Sequence, residues 1–79
     1  MISVTLMLYP VPVHDKLNID FTNAGRKNIW IYQMDGKLIE TKQTDNARIQ
    51  LNFGKYNSGA YLVFMLIDNQ FYRRLVIKQ

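Results

Sequence analysis

Apolar and polar positions alternate with a period of two along most of this chain, the mark of strands with one buried face. Ile2, Val4, Leu6 and Leu8 alternate with Ser3, Thr5 and Met7, and predict a first strand that Pro10 and Pro12 stop. Proline gives no N–H to a ladder, so Tyr9–Pro12 is expected to be an extended linker or edge segment. Leu17, Ile19 and Phe21 alternate with Lys16, Asn18 and Asp20, a second strand with one wet face, and Thr22-Asn23-Ala24-Gly25 follows as a turn. Residues 28–34 are rich in β-branched and aromatic types, and Asp35-Gly36 separates them from Lys37 to Lys42. Asp-Gly between two such runs predicts a hairpin closed by a type I′ turn, in which both central residues have positive φ.

Gln43 to Asn46 is a polar turn, after which Ala47, Ile49 and Leu51 alternate with Arg48 and Gln50. Asn52 to Gly59 reads as a loop with Phe53 and Tyr56 anchored inward. Ala60 to Ile67 is nearly all apolar, as expected for a central strand covered on both faces. Asp68-Asn69 makes a second tight turn before a last strand, Phe71 to Lys78. These elements predict an all-β fold, a seven-stranded antiparallel β-sandwich in a single domain.

Length and composition agree. A chain of 79 residues fits one domain, and its 48% of hydrophobic residues suffices for a packed core. There is no cysteine, so neither a disulfide nor a thiolate metal site can form and packing alone must hold the fold. The net charge of +4 is spread along the chain, with pairs only at Arg26-Lys27 and Arg73-Arg74, whereas a nucleic-acid binder concentrates its charge. The ten basic residues therefore read as solvated strand faces and loops. No apolar run reaches the ~20 residues that a membrane helix needs. Residues 1–9 lack the charged start and cleavage pattern of a signal peptide, and the chain reads as part of something longer.

Catalytic chemistry has little to build on. The one histidine, His14, sits beside Asp15 with no nucleophile near it in sequence, and a metal site needs several converging ligands. Gly25, Gly36, Gly54 and Gly59 all fall at turns, so there is no phosphate loop, and no cofactor is expected. Trp30 and Tyr32 share one strand face, with Met34 beyond, and are expected to be buried under the second sheet or an interface. Arg73 and Arg74 point to opposite faces of the last strand and cannot form one anion clamp.

Several short motifs occur in a telling order. Tyr9-Pro10-Val11-Pro12 followed by Asp15-Lys16-Leu17-Asn18-Ile19 resembles the opening of type A C-terminal sorting domains of type IX secretion, which typically read Tyr-Pro-Asn-Pro, a spacer and a Leu-x-Val-type strand. Ile29-Trp30-Ile31-Tyr32 with Asp35-Gly36-Lys37 looks like their central hairpin. Ile49-Gln50-Leu51, then Ser58-Gly59-Ala60-Tyr61-Leu62-Val63, is similar to their Gly-x-Tyr strand, and Arg73-Arg74-Leu75-Val76-Ile77-Lys78-Gln79 to their closing strand. The resemblance covers about residues 9–79. Val11 replaces the usual asparagine of Pro-x-Pro, and Gln33 stands where aspartate is frequent.

The resemblance implies an Ig-like sandwich that serves as an export address at the C-terminus of a larger cargo protein of Gram-negative Bacteroidota. Such cargo passes through the periplasm, and its partners are the outer-membrane secretion machinery, a shuttle barrel and a sortase-like peptidase. The peptidase typically removes the domain and attaches the cargo to the cell surface. Recognition would use surface and edges, and singles out Pro10, Pro12, Gly36, Gly59, Tyr61, Arg73, Arg74 and Lys78. Gly36, Gly59 and Tyr61 also have purely structural readings, a backbone turn or a packed ring. Exposed edge strands invite dimers. The runner-up is an Ig-like adhesion or carbohydrate-binding module, which an exposed Trp30–Tyr32 stripe favours, because fold alone does not fix function. Nucleic-acid binding rests on charge and aromatics alone.

Overall fold

A computed structural model describes residues 6–22 and 25–79. Seven strands form two antiparallel sheets. β1 (Leu6–Tyr9), β2 (Lys16–Phe21) and β5 (Arg48–Asn52) make a three-stranded sheet in the order β1-β2-β5. β3 (Lys27–Gln33), β4 (Leu38–Thr44), β6 (Gly59–Ile67) and β7 (Gln70–Lys78) make a four-stranded sheet in the order β4-β3-β6-β7. The expected sandwich is present. The first strand begins at Leu6, and the part placed on residues 1–5 lies outside the described residues, as do Asn23 and Ala24 of the first turn.

The core follows from alternation. Leu17, Ile19 and Phe21 of β2 face Ile29 and Ile31 of β3, and Tyr61, Val63, Met65 and Ile67 of β6, in one buried cluster. Every second residue of these strands points into the ~10 Å gap between sheets, so each strand commits one face. Leu51, next to the end of β5, lies in the core and Phe53, fully buried, continues it into the following loop.

Two features depart from the sequence reading in β3 and β6. Trp30 and Tyr32 are not beneath the second sheet; the inner face of β3 belongs to Ile29 and Ile31. Likewise β6 is not covered on both faces, because Leu62, Phe64 and Leu66 are only half-buried on the outside. When both phases of a strand are apolar, period two cannot say which is inside. The registers Trp30↔Phe64 and Ile31↔Val63 put the aliphatic phases together in the core and the aromatic phases together outside.

The turns also differ from expectation. The β3–β4 hairpin is closed by Gln33 N–H donating to Lys37 O (2.8 Å) and Gly36 N–H to Gln33 O (2.9 Å), and only Gly36 has positive φ, +95°. This is a three-residue loop with a glycine bulge, not a type I′ turn. Asp35 stays in the ordinary region and its carboxylate accepts from the Lys37 N–H at 3.0 Å. The type I′ signature appears instead at Asp68-Asn69, with φ of 51° and 63°. The Tyr9–Pro12 stretch is a bend and not an extended segment, and both its X–Pro bonds are cis.

Nor are all the basic residues solvated. Lys27 is 1% exposed and Lys78 9%. The Lys27 ammonium donates to Gly25 O and Asn46 O, each at 2.8 Å, and lies 4.9 Å from the Phe21 ring centroid. Burial pulls its pKa below that of an ordinary lysine, while Asp45 and Asp68 push the other way. Its stem is part of the core and its head ties two turns together at the end of the sandwich. Lys27→Met keeps the stem and loses the hydrogen bonds, for an expected cost of about 1–2 kcal/mol in urea unfolding. Lys27→Ala also empties the stem's volume and is expected to cost about 3 kcal/mol. Equal costs for the two variants would make the stem irrelevant.

Candidate recognition surface

The sandwich is elongated, 38 × 22 × 19 Å, and most of the sequence-predicted positions gather at one end of it. Three chain segments meet there: the Pro10–Pro12 bend, the Asn52–Gly59 loop and the end of β7. Val13 joins the first to the last. Its N–H donates to Ile77 O (2.8 Å), its carbonyl accepts from Gln79 N–H (2.9 Å), and it forms a parallel bridge to Lys78 with its side chain fully buried. Val13 therefore attaches the chain leaving the three-stranded sheet to the outer edge of the four-stranded one. The sequence reading missed it, because one apolar residue between Pro12 and His14 shows no period.

Lys78 is paired on its other side with Gly59. Gly59 has φ +149°, a setting that side-chain-bearing residues rarely adopt, and this positions the start of β6. Two residues on, Tyr61 is buried and its hydroxyl donates to Asn57 O at 2.5 Å, which holds the loop down. Phe53 and Tyr56 complete an aromatic cluster with Tyr61. The Phe53 ring stands edge-on to Tyr56 at 5.0 Å and to Tyr61 at 5.7 Å between centroids. The Tyr56 hydroxyl donates to Glu40 on β4, whose carboxylate also meets Lys42 at 3.3 Å and Lys55 at 3.5 Å. Burial raises the pKa of Glu40, but the Tyr56 hydrogen bond and the two ammonium groups outweigh it, so Glu40 titrates below the usual range. Burial, and then the same hydrogen bond, push the Tyr56 phenol up. The Gly36 hairpin lies alongside, since Gln33 pairs with Tyr61.

Thus Pro10, Pro12, Gly36, Gly59, Tyr61 and Lys78 belong to one end of the molecule. Arg73 and Arg74 do not. They sit midway along β7, opposite Phe64 and Val63, both exposed and on opposite faces. His14 is also exposed.

The chain's similarity to known proteins fits this arrangement. The family model for the secretion system C-terminal sorting domain matches residues 7–79. The chain belongs to that family. The match covers all seven strands, beginning at the second residue of β1. No curated protein matches the chain at a significant level. As a sorting domain of type IX secretion, it is a signal for export to the cell surface or the medium.

A second surface of the sorting domain is defined by what covers it least. On the outer side of the four-stranded sheet, Trp30 and Phe71 lie 6.3 Å apart between ring centroids and Tyr32 stands edge-on to Phe64 at 5.4 Å. Together with Met34 and Leu62 they line a shallow groove of about 470 Å³.

Proposed function

We propose that this sorting domain is the C-terminal address of a larger cargo protein, carried through the periplasm and read by the outer-membrane machinery at the end where Val13 closes onto Lys78 and Gln79. The observation that carries the reading is this closure. It makes the Pro10–Pro12 bend and the last residues of the chain a single surface, while a cargo on the N-terminal side would connect ahead of β1, whose first residue pairs with Phe21 toward the other end of the sandwich. A partner that touches one touches the other. In this reading Pro10, Pro12, Gly59, Tyr61 and Lys78 shape the surface, Gly36 borders it, and Arg73 and Arg74 offer charge along the neighbouring edge strand. A sortase-like peptidase then cuts upstream of the domain and joins the cargo to the cell surface. The domain is the substrate of that step, not its catalyst.

The test is a fluorescent reporter behind a signal peptide and ahead of this chain, expressed in a type IX-competent bacterium and in a strain lacking the machinery. Reporter on the surface or in the medium of the first, and in the periplasm of the second, is the expected result. Periplasmic retention in both, with the domain folded, sinks the reading. The aromatic outer face favours a second reading, a carbohydrate-binding module, which expects Trp30→Ala to abolish binding to a polysaccharide without touching export.

A further inference from the structure

The outer face of the four-stranded sheet is apolar across β3, β6 and β7, while β4 carries Thr41 and Gln43 on it. β3 presents Trp30 and Tyr32, β6 presents Leu62, Phe64 and Leu66, and the same phase of β7 carries Phe71, Leu75 and Ile77. Phe71 is 71% exposed, Leu75 54% and Ile77 38%, and Met34 and Leu38 continue the patch at the hairpin. Among the described residues Arg73 is the one formal charge on the β3, β6 and β7 part of this face. A water-facing sheet surface normally alternates to polar residues, and these three strands largely do not.

The edges, by contrast, are defended. Among the described residues β1 has four and runs into Pro10, β5 has five and carries Arg48, β4 carries Glu40 and Lys42, and the pairing of β4 with β3 is bulged between Ile31 and Tyr32. The end of β7 is already occupied by Val13, and Arg73 and Arg74 lie along the rest. Short strands, charges and bulges are what keep edges from pairing.

We infer that the sorting domain self-associates, and that it does so through this face and not through its edges: the occupant is a second copy of the same chain, packed sheet on sheet. Size supports it. Four strands at about 4.8 Å and six residues at about 3.4 Å give a face of roughly 19 by 20 Å, a footprint of roughly 400 Å². The apolar part, on three of the strands, is roughly 300 Å² in projection, which reaches the ~300–600 Å² of the largest apolar patch on an ordinary monomer. Two copies face to face remove about 800 Å² before side-chain relief is counted, and relief brings the total to the ~1,000 Å² at which specific interfaces begin. Symmetry permits it as well. With the twofold axis along the strands, β7 of each copy lies across β4 of the other, so the two Arg73 side chains sit at opposite margins and do not meet. The net charge of +4 on each copy opposes the pairing from a distance, so salt strengthens it.

The test is sedimentation equilibrium of the 79-residue chain from about 1 to about 300 µM, which spans association of about −5 to −8 kcal/mol. The expected result is a mass that rises from 9.3 kDa toward twice that value, more readily at high salt, with Trp30 emission moving to the blue in step. Phe71→Glu is expected to weaken the dimer by about 100-fold or more. Its high exposure leaves the fold intact, which the circular dichroism spectrum and melting temperature check. Val11→Glu, on the exposed bend, leaves the dimer unchanged. A monomer at every concentration overturns the inference. If such a monomer binds the dye ANS or an oligosaccharide at Trp30, the face belongs to another occupant. A dimer indifferent to Phe71→Glu overturns the choice of face.

Discussion

Phe53→Ala is expected to lower the stability of the sorting domain more than any change on its surface. The ring is fully buried and packs edge-on against Tyr56 and Tyr61, so the substitution loses apolar burial, leaves a cavity and removes two aromatic contacts. Such truncations cost about 3–5 kcal/mol. A domain of this size has only about 4–12 kcal/mol in total. At about 4–8 °C per kcal/mol the melting temperature falls by roughly 12–40 °C, as differential scanning calorimetry would show. The damage is focused on the end of the sandwich that we propose is recognised. Tyr61 loses the surface against which it stands, and with it the anchor of the Asn57 carbonyl. A fall of under about 1 kcal/mol would mean that the loop repacks around the gap.

The second large effect is on export. Removing Lys78 and Gln79 deletes the N–H that meets the Val13 carbonyl, the partner of Gly59 and a buried lysine stem, while Ile77 O still accepts from Val13. The expected cost is about 2–3 kcal/mol, from one hydrogen bond and one stem. Val76 stays in the core, so the domain still folds. Reporter export is expected to fall to the level seen without the machinery. A longer truncation from Arg73 would remove most of β7 with its buried Val76 and would confuse misfolding with lost recognition. Gln79→Ala keeps the backbone N–H and is expected to export normally. Full export by the two-residue deletion would place the recognised surface elsewhere.

How far the sequence foretold this depends on what kind of signal each element gave. Strands with one polar phase were legible. In β2, Lys16, Asn18 and Asp20 leave no choice about which face is buried, and Asn18 and Asp20 indeed face outward, bonded to Gln50 and Arg48. Strands with two apolar phases were legible as strands but not as to side. For β3 the larger residues, Trp30 and Tyr32, suggested the core, yet the compact Ile29 and Ile31 fill the gap between sheets. Lys27 held a usable clue, since it shares the phase of Ile29 and Ile31. A long stem at the end of a buried phase can reach out of the sandwich, which a count of charges cannot show.

The hairpin at Asp35-Gly36 was found in the right place with the wrong turn, because Asp-Gly serves a bulged three-residue loop as well as a type I′ turn. Of the site, the motif order found the family and the six positions that gather at one end. The Val13 closure was invisible, since backbone pairing across sheets depends on topology and not on residue type.

That closure also sets how the molecule responds to tension. Val13 runs parallel to the end of β7, and its two hydrogen bonds point to residues on either side of Lys78. A pull on the chain ahead of β1, against a grip on Gln79, drags these parallel neighbours past each other along their length. Both bonds are then strained at once, where an antiparallel end would open one bond at a time. A domain towed by its cargo and held by its tail thus resists in shear, with the β1–β2 ladder and this clasp sharing the load.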